Sequence, residues 1–122
     1  MVSGGKVGGR IRPSADVWFV YLARCNDGTL YCGVARDVAE RIAKHDAGKG
    51  ARYTRGRGPL TVQAIRKCRS YGEALRLEFA VKRLPRDAKE ALVDTRRFRA
   101  LQRSVVAATV ARGSAQQRKP VE

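Results

Sequence analysis

Apolar and polar positions alternate along this chain in short blocks of two kinds. Val17-Trp18-Phe19-Val20-Tyr21-Leu22 is an unbroken run of β-branched, aromatic and aliphatic residues. That composition favours a strand, and the absence of polar alternation favours one buried on both faces. Asn26-Asp27-Gly28 follows. Asp-Gly between two apolar runs is a hairpin signal, because the turn needs a positive φ that glycine adopts without steric cost. Thr29-Leu30-Tyr31-Cys32-Gly33-Val34 then reads as the return strand, with Leu30 and Cys32 on one face and Thr29 and Tyr31 on the other. Gly33 presents no side chain at the strand end, so a ligand or another part of the protein can approach closely there.

The period changes to that of a helix after Asp37. Asp37 is an N-cap and Glu40 follows three residues later, the spacing of a capping box. The predicted helix covers about 38–47, with Val38 and Ile42 as its apolar ridge and Gly48 as its stop. Arg41 and His45 lie four apart and project from one face, a turn from each other. Leu60 to Ile65 alternates as a third strand, closed by the basic run Arg66 to Arg69. Ser70 and Glu73 form a second capping box before a helix over about 71–84, which Pro85 ends. Leu77, Ala80, Val81 and Leu84 keep the spacing of a buried stripe. Asp87 with Glu90 predicts a third helix over about 88–99, loosely continued by Phe98, Leu101, Val105 and Ala108. The Gly-rich start and the polar tail from Gly113 carry no such pattern; the start is expected to be flexible and the tail disordered. The expectation is one α/β (α+β) domain over 16–94, a small three-stranded sheet flanked by helices. A flexible basic arm, 1–15, precedes it; a helical extension and disordered tail, 95–122, follow it.

Charge adds a partner to this picture. The 122 residues include 26 Lys and Arg against 11 Asp and Glu, a net charge of +15. A domain this basic is suited to polyanions, nucleic acid above all. The loop after the first helix, Gly48 to Pro59, holds Lys49, Arg52, Arg55 and Arg57, which can follow a phosphate backbone, and Tyr53, which can stack on an unpaired base. No GKS or GKT follows its glycines, so it is not read as an NTP-binding loop. Three cysteines and a single histidine make no zinc site of usual spacing, and unpaired thiols point to the reducing cytoplasm. The N-terminus lacks the apolar core of a secretory signal, and no run approaches the roughly 20 apolar residues of a membrane span.

Tyr21, Tyr31, Arg41, His45 and Glu78 are the candidate chemistry. Each has an ordinary reading: tyrosines pack in hairpins, an arginine coats a helix, and Glu78 pairs with Lys82 at i+4 for a few tenths of a kcal/mol. Each also fits phosphodiester hydrolysis. That reaction needs an activated water, a cation on the phosphate and help for the leaving oxygen. Arg41 is permanently charged and can grip phosphate oxygens in pairs. Glu78 is a hard oxygen ligand suited to Mg²⁺ or Mn²⁺. Tyr21, Tyr31 and His45 can activate or orient water. An imidazole titrating near about 6.5 is an easier base at neutral pH than a phenol near about 10; alternatively His45 holds a tyrosine in place.

These residues together resemble the GIY-YIG nuclease family. Phe19-Val20-Tyr21 matches the first signature triplet through its tyrosine. Tyr31-Cys32-Gly33 matches the second through tyrosine and glycine. Arg41 falls ten positions after Tyr31, where the family has its helix arginine, and His45 one turn later, where it has tyrosine or histidine. Glu78 in RLEFAVKRL matches the family's glutamate, and GKGARYTRGRGPLTV is similar to the loop of small stand-alone bacterial members. The resemblance covers about Asp16 to Val93. It implies an endonuclease that hydrolyses DNA, in preference to RNA, in DNA repair or recombination. One divalent ion, Mg²⁺ or Mn²⁺, would sit on Glu78, with Arg41 on the phosphate and a tyrosine-centred activation of water. Two positions depart from the family pattern. Val34 stands where many catalytic members carry lysine, and Cys32 where they carry an aliphatic residue. The alternatives are a non-catalytic nucleic-acid-binding module of the same fold and a basic interaction protein such as one bound to ribosomes. A binding module has use for Arg41 but none for a carboxylate placed beside phosphate.

Overall fold

The computed structural model describes residues 17–49 and 59–118. The expected arm 1–15 and the loop residues Arg52, Tyr53, Arg55 and Arg57 lie outside the described residues. The elements run β1 (Trp18–Arg24), β2 (Leu30–Ala35), α1 (Val38–Asp46), β3 (Thr61–Cys68), α2 (Tyr71–Lys82), α3 (Arg86–Ala91) and α4 (Thr95–Arg118). The sheet order is β2-β1-β3, and both pairings are antiparallel. The expected α+β domain with a three-stranded sheet is therefore present.

The unbroken apolar run is the central strand. Val20, Tyr21, Leu22 and Ala23 are all fully buried, two on each face. On one face Val20, Leu22 and Cys32 pack with Ala74, Leu77 and Val81 of α2 and Phe98 of α4. On the other, Tyr21, Ala23 and Ala35 pack with Val38 and Ile42 of α1. The hairpin turns at Gly28, whose φ of 89° explains the glycine.

Several boundaries differ from expectation: the third strand runs on through Arg66 and Lys67 to Cys68 instead of closing after Ile65, and the last helices are divided differently. The third helix is not continuous over 88–99: α3 stops at Ala91, and α4 begins at Thr95. Both Leu92 and Phe98 are buried in the same core. On one continuous helix they would point about 120° apart, so a break lets both turn inward. Asp94 makes the new start, its carboxylate accepting from the Arg96 amide at 2.9 Å. Glu90 does not cap; it accepts two hydrogen bonds from Arg24, at 2.7 and 2.9 Å, fixing α3 against the end of β1. The polar run from Gly113, expected to lack order, continues α4 to Arg118. In the second capping box Ser70 accepts from the Glu73 amide as expected, while the Glu73 carboxylate reaches the amide of Arg69 instead.

Gln102 of α4 carries the buried polar contact between α4 and β3. Its carbonyl oxygen accepts from Arg66 Nε at 2.8 Å, and its amide donates to the Lys67 carbonyl at 2.8 Å and to Glu73 at 3.1 Å. Replacing it with methionine keeps the bulk and leaves those partners unsatisfied. Gln102→Met should cost about 1–3 kcal/mol, read as a lower urea midpoint at unchanged slope. An unchanged midpoint would show that solvent replaces these bonds freely.

Candidate active site

The site starts from one cross-strand pair. Tyr21 on β1 lies opposite Gly33 on β2. The tyrosine ring occupies the space a side chain would need there: a Cβ on residue 33 would lie 2.5 Å from the Tyr21 hydroxyl oxygen and 2.6 Å from Cζ. The close approach expected at Gly33 is thus made by the protein's own tyrosine. The hydroxyl then meets His45 Nε2 at 3.0 Å, so β1 is joined to the last turn of α1. Tyr31, next in space, stands 6.2 Å from the Tyr21 ring and edge-on to His45 at 5.2 Å, centroid to centroid.

Burial sets the protonation of this group. Tyr21 is fully buried, which with the neighbouring Tyr31 pushes its pKa well above 10, although the charge and hydrogen bond of Arg41 oppose the rise. His45 is buried at 2% exposure, and its pKa is lowered, first by burial and then by the Arg41 charge. Tyr21 is therefore a neutral phenol and His45 a neutral imidazole at pH 7. Tyr31 is half-buried; its pKa is raised chiefly by burial, while the charges of Lys82 and Arg41 pull down and that of Glu78 pushes up. Arg41 thus acts on all three rings, and among the described residues it has no carboxylate ion pair.

Glu78 comes from the opposite face of the sheet, on α2, and its charge acts on Tyr31 of β2, one of the two edge strands. Its carboxylate is partly buried, with Oε2 3.1 Å from Lys82 Nζ. The ion pair open to it from spacing alone is formed. Among the described residues no three His, Cys, Asp or Glu side chains gather as a metal cage. A single accessible carboxylate fits an ion such as Mg²⁺ or Mn²⁺ that keeps water and takes phosphate oxygens for the rest of its shell. Cys32 adds nothing reactive: it is buried in the core and its thiol is pushed up to about 12 by burial first and Glu78 second.

The five expected residues therefore divide. Tyr21, Tyr31, Arg41 and His45 form one group, and Glu78 meets it through Tyr31. Lys49 is exposed beyond the end of α1, where its amide donates to the Lys44 carbonyl. Sequence reasoning missed two clefts along β2. One, of about 270 Å³, holds Arg36, Arg41 and Lys44 beside Trp18. The other, of about 330 Å³, holds Lys82 and Lys89 beside Tyr31. Spacing could have found Lys44, three after Arg41 on the same helix face; Lys89 is brought there only by the fold. Val34 packs against the core and adds no charge.

Two outcomes test this arrangement. Gly33→Ala should lower stability by about 1–3 kcal/mol in urea unfolding, because the Tyr21 ring has to move; an unaltered midpoint would mean that the ring yields freely. An NMR titration should place the His45 pKa below 6.5, and Arg41→Gln should raise it. The unfolded chain then binds more protons between the folded value and 6.5, so stability due to neutral His45 is complete above pH 6.5 and is lost as pH falls. A titration midpoint above 6.5 would contradict the burial argument.

Comparison with known proteins bears on the family. The sequence profile of the GIY-YIG catalytic domain matches residues 17–91. The chain is similar to a UPF0213 protein of Nitratidesulfovibrio vulgaris, 50% identical over 80 residues, covering 66% of this chain and 73% of the relative. It is 49% identical over 73 residues to a UPF0213 protein of Halobacterium salinarum, covering 60% of this chain and 95% of that one. Among solved structures, the solution NMR structure of a Bacillus halodurans UPF0213 protein is 48% identical, covers 65% of this chain and 84% of the other, and superposes with a TM-score of 0.44. With the profile match spanning every element from β1 to α3, the chain belongs to the GIY-YIG catalytic domain family.

Proposed function

We propose that this chain is a divalent-metal-dependent endonuclease that hydrolyses phosphodiester bonds of DNA, acting in repair or recombination. The observation that carries the reading is the surroundings of Tyr31: a half-buried phenol in an open cleft with Lys82, edge-on to His45, with the charges of Lys82, Arg41 and Glu78 acting on it. A cation for the phosphate, a hydroxyl to orient water and a carboxylate for a divalent ion that would help the leaving oxygen answer the three needs of the reaction. The bound ion would supply charge neutralisation at the phosphate, with Glu78 as its ligand from the protein.

Arg41 grips the phosphate from α1. Tyr31 is the group that orients or deprotonates the attacking water, because it borders the open cleft beside Lys82. Tyr21 and His45 hold the arrangement: both are buried and spend their facing atoms on each other. A nucleic-acid backbone lying along β2 would meet Arg36, Arg41 and Lys44 on one side of Tyr31 and Lys82 and Lys89 on the other. With a net charge of +15, the chain attracts DNA strongly and without sequence preference.

The second reading, a binding module without catalysis, is favoured by two observations. Val34 is apolar and packed where a further cation was expected, and Glu78 already has Lys82 as a partner. Cleavage separates the readings. Arg41→Ala and Glu78→Ala should each lower the rate on DNA by about 10²-fold or more, while circular dichroism shows both folded. Full activity in either variant would refute the site, and metal-independent binding with no cleavage of single-stranded, duplex or branched DNA would establish the binding module.

The pH profile assigns the base. If Tyr31 deprotonates water, kcat/KM keeps rising above pH 8, because the raised phenol pKa leaves little phenolate at neutral pH. A profile that levels off near or below pH 6.5 would transfer the role to His45.

A further inference from the structure

Lys82 sits between two charges it can serve, one on the protein and one on the substrate. Its ammonium lies 3.1 Å from Glu78 Oε2, yet its side chain is 51% exposed. It shares an open cleft with Tyr31 and Lys89. An i,i+4 ion pair whose lysine is exposed is weak, and a long lysine side chain turns easily onto another anion. A divalent ion on Glu78 would repel the ammonium that now occupies that carboxylate. The nearest place for the displaced ammonium is the same cleft, beside the phenol.

We propose that Lys82 is a substrate-binding residue held in reserve: it neutralises Glu78 in the metal-free protein and transfers to a backbone phosphate beside Tyr31 when a divalent cation takes the carboxylate. The proposal rests on the reading of Glu78 as the cation's ligand. It makes metal and nucleic acid bind cooperatively, since each removes a competitor of the other. Lys89 lines the same cleft and has no ion pair among the described residues, so its contact with phosphate needs no metal.

Two measurements test it without relying on cleavage. In Mn²⁺ titrations followed by EPR, Lys82→Met should tighten Mn²⁺ binding by roughly three- to tenfold, because the competing cation is gone. Glu78→Gln should weaken binding in the same assay. In anisotropy titrations of a labelled DNA oligonucleotide over a range of KCl, each phosphate contact contributes about 0.7–0.9 to the slope of log Kd against log salt. Lys82→Met should reduce that slope by this amount in Ca²⁺ and by little in EDTA. Lys89→Met should reduce it equally in both, and thermal melts should show both variants folded.

Equal slopes for the wild type and Lys82→Met in Ca²⁺ would overturn the proposal, whatever Mn²⁺ does. A loss of slope that is the same in Ca²⁺ and EDTA would also overturn it, leaving Lys82 a permanent phosphate contact. Mn²⁺ binding that Glu78→Gln does not alter would remove the metal ligand itself, and with it both this proposal and the metal-dependent reading of the site.

Discussion

The arrangement depends on one side chain filling another residue's space. Tyr21 lies over Gly33, and its hydroxyl reaches His45, so the hairpin and α1 are set at a fixed separation by a single rigid ring. Everything on α1 follows from that contact. Arg41 is one turn before His45 on the same helix, and its charge acts on both tyrosines. Interiors transmit such constraints because they are close-packed and have little room to give. The glycine is required by volume here, since the strand conformation at that position would admit any residue.

The same contact layers the electrostatics. The inner groups, Tyr21 and His45, are neutral, so burying them carries no cost of desolvating a charge. The formal charges stand further out, where Arg41, Lys82 and Glu78 surround the half-exposed Tyr31. Burial first, and the permanent cation of Arg41 second, keep the imidazole unprotonated, and a neutral imidazole leaves the cation's charge for an anion from solution. In a chain with 26 basic and 11 acidic residues, that anion is readily a phosphate.

The other face of the sheet places Glu78. Ala74, Leu77 and Val81 press α2 onto the core, which turns Glu78 and Lys82 toward the β2 edge. Phe98 and Gln102 brace this layer from α4, one by filling volume and the other by pairing the backbone of β3 with Glu73. The site is therefore built from both faces of a small sheet, meeting around the edge strand β2. The break between α3 and α4 belongs to the same logic, because it lets Leu92 and Phe98 both reach that core.

Much of this was already written in the order of residues. The double-sided burial of β1, the Gly28 turn, the caps at Asp37 and Ser70, and the shared face of Arg41 and His45 are local features, set by propensity, period and backbone geometry. The grouping of Tyr21, Tyr31, Arg41 and His45 was legible because a hairpin and the helix next to it leave few ways to meet. What the sequence left open depended on contacts between distant segments. Spacing permitted His45 to be a base or a support, and burial against Tyr21 decided which of its atoms is engaged. Spacing offered Glu78 a partner in Lys82 but could not show that Lys82 borders the Tyr31 cleft. The helix expected over 88–99 had good local signals, and it broke because two apolar side chains had to enter one core from incompatible angles. Local rules fix what each segment prefers; only packing decides which neighbours its side chains meet, and the chemistry of this site lies in those meetings.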